Sequence, residues 1–261
     1  VTDYSDFCNN NISQLFNRSD NHAEFTFPIQ LLDTDGNEIK EYVVPEDVTS
    51  IGAKAFACCS NLTSVIFNSQ LMEIGEYAFN GCSSLSSIII PDDVTSIGEF
   101  AFYGCSGLTS IKIGNSLTSL KAGTFYGCSS LSTIQIPNSL IVIEDAMSSY
   151  DFTGTHSYGG YYGVFVGCSS ITSVTIGSGV THIGSYAFSG CSNLASVKMG
   201  KNVSSIGEGA FKGCGNLTSI ALPKVLKIID NSAFNGCGLT TITIPNSVTS
   251  IGEYNQEIKG K

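Results

Sequence analysis

The sequence has no tryptophan, 3 histidines among 261 residues, and 12 basic residues against 22 acidic ones, for a net charge of −10. Residues 1–47 hold ten of the acidic side chains and two of the basic ones, so the rest of the chain, with twelve and ten, is almost neutral. Binding of nucleic acid needs a stripe of Lys and Arg that releases phosphate counterions. The shortage of positive charge therefore argues against a nucleic-acid partner.

Long apolar runs are also missing. No stretch of eighteen apolar residues occurs, so the sequence predicts no membrane span. The chain starts at Val1 without an apolar segment of the signal-peptide type. We therefore expect a mature or trimmed product, with its export signal outside this sequence.

Few side chains could serve as a base at neutral pH. The histidines, His22, His156 and His182, have no partner at metal or triad spacing, and His182 fills a Ser position of the repeat, where we expect a simple surface residue. His156 has Asp151 and Ser157 nearby, but a triad needs a base oriented by a rigid scaffold. The sequence predicts no catalytic residue, no cofactor and no metal site, and a hydrolase is the least favoured hypothesis.

What the sequence does contain is one unit repeated at a fixed step, most clearly over Leu85–Gly107. Its Phe recurs at spacings of 23 residues, interrupted once by a spacing of 40. The repeated residues are Phe56, Phe79, Phe102, Phe125, Phe165, Phe188, Phe211 and Phe234. A short period sustained over eight copies predicts a solenoid, in which each coil buries its apolar residues against its neighbours.

Each unit contains two apolar groups separated by Pro or Gly. Leu85, Ile88 and Ile90 follow the L-x-x-L-x-L form of a strand, which must end at the Pro or Gly that follows. Val94 and Ile97 form the second group, before Ala-Phe-x-Gly-Cys, whose Gly permits a sharp turn. We predict an α/β-type repeat solenoid, mainly β and right-handed, with 23-residue coils, a parallel concave sheet and short convex strands or 3-10 turns.

Ten cysteines are present, without a C-x-x-C motif that would favour zinc. Eight follow the repeated Phe by three residues: Cys59, Cys82, Cys105, Cys128, Cys168, Cys191, Cys214 and Cys237. Stacked at ~4.8 Å, parallel side chains keep their Cβ atoms farther apart than the roughly 3.5 to 4.5 Å of a disulfide. We predict a ladder of buried free thiols. Only Cys8 and Cys58 lie outside it, and a bridge between these two stays open.

The repeat defines the domain organisation. We expect residues 1–42 to cap the open apolar end of the first coil, as solenoids require, and residues 43–261 to form the repeat domain with an inserted loop at about 144–163. The last coil is incomplete, because Asn255 and Gln256 stand where the repeat has Ala and Phe.

The cap contains two predicted strands, 23–32 and 39–44, joined by a turn at 33–37. The Asp-Thr-Asp-Gly-Asn sequence of this turn also resembles the start of a calcium loop. An EF-hand needs Gly at its sixth position and Glu at its twelfth, where this sequence has Glu38 and Val44. A plain turn is therefore favoured.

The inserted loop is rich in Tyr, Ser and Gly. Insertions in repeat proteins emerge as loops, often on the binding face, and this composition supplies rigid aromatic contacts with adaptable hydrogen bonds. The loop either contributes to a partner site or is a spacer that folds back on the convex surface and buries its own aromatic rings. The candidate binding residues in it are Tyr150, Phe152, Tyr158, Tyr161 and Tyr162.

The outward strand positions of the concave face give a second candidate site. The first outward position is Ser or Thr in every coil from residue 64 onward, whereas the second varies, and variation on rigid copies can encode a partner or reflect drift. Ile66 and Ile89 form an apolar pair that is unusual on a free surface. The candidate residues here are Ile66, Ile89, Lys112, Gln135 and Lys198.

The pattern L-x-x-I-x-I-P-x-x-V-x-x-I-G-x-x-A-F-x-G-C, over about Val43 to Gly252, closely resembles the BspA-type leucine-rich repeats of bacterial and protist surface proteins. The resemblance implies a leucine-rich solenoid that is secreted or displayed at a cell surface and binds a protein ligand, such as a host matrix or cell-surface protein. It implies no catalytic residue. The competing hypothesis is a structural spacer within a larger surface protein.

Overall fold

The computed structural model describes residues 30–148 and 161–255. They form a parallel β-solenoid of about nine coils that contains no helix. The repeat solenoid expected from the 23-residue period is confirmed. Each coil supplies one strand to each of two sides, and the apolar side chains between the two sides form one continuous core.

The first strand of each coil lies on one side, which we call the front face. Its strands are β1 (Glu41–Val43), β3 (Ser64–Ile66), β5 (Ser87–Ile89), β7 (Ser110–Lys112), β9 (Thr133–Gln135), β13 (Ser173–Thr175), β15 (Ser196–Lys198), β17 (Ser219–Ile220) and β19 (Thr241–Ile242). They pair in parallel as β1-β3-β5-β7, β9-β13-β15 and β17-β19. Their central residues, such as Ile88 and Ile134, are buried, so the flanking residues point outward because side chains alternate along a strand.

The second strand of each coil lies on the opposite side, the back face. Its strands are β2 (Ser50–Ile51), β4 (Glu73–Ile74), β6 (Ser96–Ile97), β8 (Ser119–Leu120), β10 (Val142–Ile143), β14 (His182–Ile183), β16 (Ser205–Ile206), β18 (Ile228–Ile229) and β20 (Ser250–Ile251). Of the two predicted alternatives, the described coils contain short strands. Their backbone donors reach the neighbouring coil, as when Gly98 N donates to Ile74 O at 2.7 Å.

The repeated phenylalanines stack through the centre of the solenoid. Successive rings from Phe56 to Phe234 have centroids 5.1 to 5.6 Å apart and planes within 10° of parallel. The rings from Phe79 onward are fully buried. The predicted inward direction of Ala and Phe is confirmed, and Thr124 takes the Ala position in one coil by donating its hydroxyl to Lys121 O at 2.7 Å.

The repeat cysteines from Cys82 to Cys237 form a column of free thiols beside these rings. Each Sγ from Cys82 to Cys237 donates to the carbonyl oxygen of the repeated Phe in the preceding coil, at 3.1 to 3.3 Å. A buried thiol is therefore both a small apolar group and the donor that satisfies a neighbouring carbonyl. The alternative bridge from Cys58 involves Cys8, which lies outside the described residues, so this bridge stays an open prediction.

Left-handed backbone recurs at two turn positions of the coil. The predicted sharp turn at the Gly before Cys is confirmed, with φ of 71° at Gly81, and the first coil places Cys58 there with φ of 62°. The residue two before the repeated Phe is also left-handed in most coils although it is seldom Gly. These residues are Lys54, Tyr77, Phe100, Gly123, Tyr186, Gly209, Ser232 and Tyr254. Sequence reasoning missed this position because its residue types do not favour positive φ.

The described end of the cap contains the predicted turn and the second predicted strand, whereas residues 23–29 of the first predicted strand lie outside the described residues. The turn at 33–37 is confirmed, because Asp33 Oδ1 accepts from Asp35 N at 2.9 Å and from Asn37 N at 2.8 Å. Beyond it, a single antiparallel bridge joins Leu32 to Glu38. Ile39 N also donates to Leu31 O at 2.8 Å. The predicted strand at 39–44 is present as β1, which pairs in parallel with β3 of the first complete coil.

In the incomplete last coil, a side chain accepts the hydrogen bond that a backbone carbonyl accepts in the complete coils. In complete coils the Phe N–H donates to the next coil's backbone, as Phe211 N does to Ala233 O at 2.8 Å. Phe234 N instead donates to Oδ1 of Asn255 at 3.2 Å, and Asn255 Nδ2 donates to Asp230 O at 2.8 Å. The buried amide thus replaces the missing backbone partner.

Candidate functional site

The second outward position of the front strands forms one row along the solenoid, which we call the outer row. It consists of Val43, Ile66, Ile89, Lys112, Gln135, Thr175 and Lys198. Strand register places Val43 opposite Ile66 and Ile89 opposite Lys112. Val43, Ile66 and Ile89 are 62%, 56% and 64% exposed. The predicted apolar pair is therefore present on the surface, and Val43 extends it to three residues.

A cleft of about 830 Å³ begins where this apolar end of the row stops. One wall is the polar part of the outer row, from Lys112 to Lys198, and the other is formed by the turns that follow the same strands. The side chains of this second wall are Asn115, Asn138, Ser178 and Lys201. Between the walls lie Ile113, Ile136 and Ile176, which are buried, so the floor of the cleft is apolar and its rims are polar.

The three charged residues that line the cleft, Lys112, Lys198 and Lys201, are all basic. In the described ranges the one lysine with a carboxylate oxygen within 4 Å is Lys40, which pairs with Glu38, so none of the three cleft lysines has a carboxylate that close there. The cleft is an exception in a chain with a net charge of −10. The three lysines favour anionic groups on whatever binds there.

Hydrogen bonds between coils hold the second wall of the cleft. Asn138 Oδ1 accepts from Ser178 N at 2.8 Å and from Ser178 Oγ at 3.1 Å. Asn115 donates through its backbone and its Nδ2 to Asp92 Oδ1 at 3.0 and 3.1 Å. Because these side chains bridge adjacent turns, the wall is preorganised for a ligand. The sequence analysis named Lys112, Gln135 and Lys198 but missed the turn residues, whose role depends on stacking.

The inserted loop begins and ends as a short hairpin. β11 (Met147–Ser148) pairs antiparallel with β12 (Tyr161–Tyr162). The Tyr161 ring stacks on Tyr186 at 3.8 Å, and the Tyr162 ring contacts Phe100 at 5.3 Å and Tyr126 at 5.5 Å. The base of the insertion is therefore packed on the solenoid. The other candidate residues, Tyr150, Phe152 and Tyr158, lie outside the described residues.

Small residues in the adjacent coils make room for the aromatic rings at the left-handed position. A Cβ on Gly123 would overlap the ring of Phe100, and one on Gly209 would overlap the ring of Tyr186. Burial, followed by the hydrogen bond that its hydroxyl donates to Glu208 at 2.7 Å, raises the pKa of Tyr186. This Tyr is therefore a neutral donor at physiological pH, and it gives Tyr161 a fixed surface to stack on.

The structure contradicts the expectation that His182 has no partner. Its Nδ1 is 2.7 Å from Ser205 Oγ on the next back strand, and its Nε2 is 3.3 Å from Asp145 Oδ1. This group could not be predicted from the sequence, because Asp145 lies 37 residues away from His182 and comes close only through coil stacking. Ser, His and Asp in a hydrogen-bonded chain are also the components of a nucleophilic triad.

The backbone N–H groups next to Ser205 are already engaged within the solenoid. Acyl transfer needs N–H donors aimed at the developing oxyanion, but Ser204 N and Ser205 N both donate to Thr181 O. Asp145 Oδ1 also accepts from Ser185 N at 2.7 Å and from Ser185 Oγ at 2.8 Å. Burial raises the pKa of Asp145, but these Ser185 bonds and the His182 contact outweigh it and lower the pKa overall. The group is best described as a clip between two coils.

In the described ranges, no three His, Cys, Asp or Glu side chains are grouped so that they could hold a metal ion. No helix there is long and apolar enough to cross a membrane.

Known proteins resemble this chain in sequence and fold. No curated protein matches it. A solved leucine-rich repeat protein from Eubacterium ventriosum is 24% identical with a TM-score of 0.54, over 82% of this chain and 46% of that one. A leucine rich cell surface protein from Faecalibacterium prausnitzii is 28% identical with a TM-score of 0.50, over 83% and 60%. The chain thus spans about half the length of these relatives.

A third solved structure, the leucine rich repeat protein of T. pallidum, is 25% identical with a TM-score of 0.55, over 75% of this chain and 90% of that one. The family model described as the BspA type leucine rich repeat region matches residues 34–153 and 161–256, in six copies. These ranges cover the stacked coils, the phenylalanine column and the thiol column alike. The chain belongs to the BspA-type leucine-rich repeat family.

Proposed function

We propose that this chain is a non-enzymatic protein-binding module and that the front face is its binding surface. The observation that carries the proposal is the continuity of the exposed apolar residues Val43, Ile66 and Ile89 with the lysine-lined cleft. Full burial of one such aliphatic side chain contributes roughly 1.5 to 3 kcal/mol. Three in a row, on strands fixed by their neighbours, offer binding energy without a large ordering cost.

The exposed apolar row also favours a binding module over a structural spacer. A spacer needs no exposed apolar row, and a monotonous polar face would serve it better. The solved cell surface protein from Faecalibacterium prausnitzii supports secretion or surface display of this chain as well. We propose an adhesin role at that location, with host matrix proteins or proteins of neighbouring cells as ligands.

The test compares two double variants of the purified chain. Ile66→Glu/Ile89→Glu alters the front face, whereas Ile141→Glu/Ile228→Glu places the same charges on exposed back-face residues, which are 48% and 43% exposed. Both variants and the parent chain are assayed for binding to a panel of purified matrix proteins and to intact cells. We expect at least a tenfold loss of binding only in the front variant. Equal binding by all three proteins would refute the proposal.

A further inference from the structure

We propose that the front face takes an extended peptide segment that is acidic in one part and apolar in the next, aligned along the outer row. This inference rests on the proposed function and specifies its ligand. Carboxylates of the segment would contact Lys112, Lys198 and Lys201 in the cleft, and its apolar side chains would cover Val43, Ile66 and Ile89. Charge complementarity selects the acidic part, because the lining residues include three lysines and no carboxylate.

The spacing of the row fits a chain of about nine residues. Neighbouring strands are ~4.8 Å apart, so Lys112 and Lys198, three strands apart in the order β7, β9, β13, β15, are separated by ~14 Å. An extended peptide advances ~3.3 Å per residue, so acidic residues four positions apart would meet both lysines. Four positions is an even number, and side chains alternate along an extended chain. Both carboxylates therefore point to the same side.

The apolar end of the outer row determines where the apolar residues of the peptide segment lie. Ile89 is the register partner of Lys112, so the apolar contacts begin one strand spacing, ~4.8 Å, from the first lysine. Val43, Ile66 and Ile89 span two further spacings, which corresponds to about three peptide residues. An apolar residue at every second position of that stretch would lie on the same side as the acidic residues.

Other polyanions match the lysines but leave the apolar end unused. A sulfated polysaccharide has no apolar side chains to cover the exposed Val43, Ile66 and Ile89. A single-stranded nucleic acid stacks its bases on aromatic rings, and the cleft is lined by none. Gln135 and Thr175, which stand between the lysines, can hydrogen-bond the backbone amides of a peptide. The row as a whole therefore favours a peptide.

The experiment uses a yeast-displayed library of nine-residue peptides, randomised at every position, and selects it against the whole purified chain. Selected peptides are then measured against three variants. Lys112→Gln/Lys198→Gln removes two charges from the cleft, and Lys212→Gln/Lys227→Gln removes the same charge elsewhere. Ile66→Glu/Ile89→Glu alters the apolar end.

We expect the selected peptides to be enriched in Asp or Glu four positions apart beside apolar residues. Their binding should fall at least tenfold with the cleft variant and with the apolar variant, and less than twofold with the Lys212/Lys227 control. Peptides without acidic enrichment that still lose binding with the Ile66/Ile89 variant would overturn the ligand chemistry and leave the proposed function standing. Peptides insensitive to every front-face change, or no enrichment of any peptide, would overturn the inference. Intact binding of the matrix panel by the Ile66/Ile89 variant would, separately, overturn the proposed function.

Discussion

The ring of Tyr161 lies parallel to the ring of Tyr186, with centroids 3.8 Å apart and planes 5° apart. Tyr161 belongs to the insertion, whereas Tyr186 belongs to the following coil of the solenoid. The neighbouring Tyr162 packs in the other direction, on Phe100 and Tyr126 of earlier coils. The two adjacent tyrosines therefore attach the hairpin to the solenoid on both sides of its base.

This attachment predicts different effects for the base and the tip of the insertion. Tyr162→Ala should lower the free energy of unfolding by about 1 to 2 kcal/mol, because it removes two ring contacts and leaves a gap beside Phe100. Replacing residues 150–158 by a short Gly-Ser turn should change it by less than about 0.5 kcal/mol. Urea denaturation of both variants measures the difference. A large loss from the tip replacement alone would show that the tip also packs on the solenoid.

The phenylalanine column predicts a large effect at a single site. Phe188 lies between the rings of Phe165 and Phe211 and is fully buried, so Phe188→Ala should cost roughly 3 to 5 kcal/mol. Val43→Ala, on the exposed outer row, is the control and should cost less than about 1 kcal/mol. The measurement is the urea midpoint, and similar midpoints for the two variants would contradict the stacked core.

The thiol column predicts a loss of stability in alkaline solution. Burial raises the pKa of Cys128 and of Cys191 to about 12, whereas an unfolded thiol has a pKa of about 8.5. Above that pH the unfolded chain binds fewer protons than the folded one, so the free energy of unfolding falls as the pH rises from about 8.5 toward 12. The melting temperature should fall over pH 8.5 to 10.5, and less steeply in Cys128→Ala/Cys191→Ala.

An equal fall of the melting temperature with pH in the parent chain and the double variant would show that Cys128 and Cys191 do not cause the loss of stability. Alkylation without reductant gives an independent check: at least eight of the ten cysteines should be modified in the unfolded chain. Four or more disulfide bridges would refute the free-thiol column.

The clip formed by Asp145, His182 and Ser205 should contribute to stability and not to ester hydrolysis. Ser205→Ala should leave hydrolysis of p-nitrophenyl acetate at the background rate of the parent chain, because the backbone N–H groups of Ser204 and Ser205 already donate to Thr181 O and are not directed at an oxyanion. Asp145→Asn should instead lower the melting temperature at pH 7, because a weaker acceptor then faces the two Ser185 donors and His182. Ester hydrolysis by the parent chain that disappears in Ser205→Ala would establish a hydrolase.

The features that repeat in every coil could be predicted from the sequence. Phe79, Cys82 and Ile88 each recur in register, so their inward direction follows from the period alone. Ile66 and Ile89 were also correctly placed on the surface, since strand alternation fixes the side on which a residue lies.

The features that could not be predicted depend on contacts between unlike coils. His182 and Asp145 meet because the 40-residue spacing still returns the chain to the same register, with β10 paired to β14. The second wall of the cleft is formed by turns whose residues differ from coil to coil, as Asn138 and Ser178 do. Periodicity carries no information about such pairs, because each occurs once.

The parallel coils also determine how the chain would respond to a pulling force. Hydrogen bonds between parallel strands run from one coil to the next, so tension between the two ends of the solenoid acts along them and loads one coil interface at a time. Such a chain peels from an end instead of shearing as a block. The coil that carries the hairpin is held by the Tyr161 stack and the Asp145 clip in addition to its strands, so peeling should pause there and leave the coils beyond it intact.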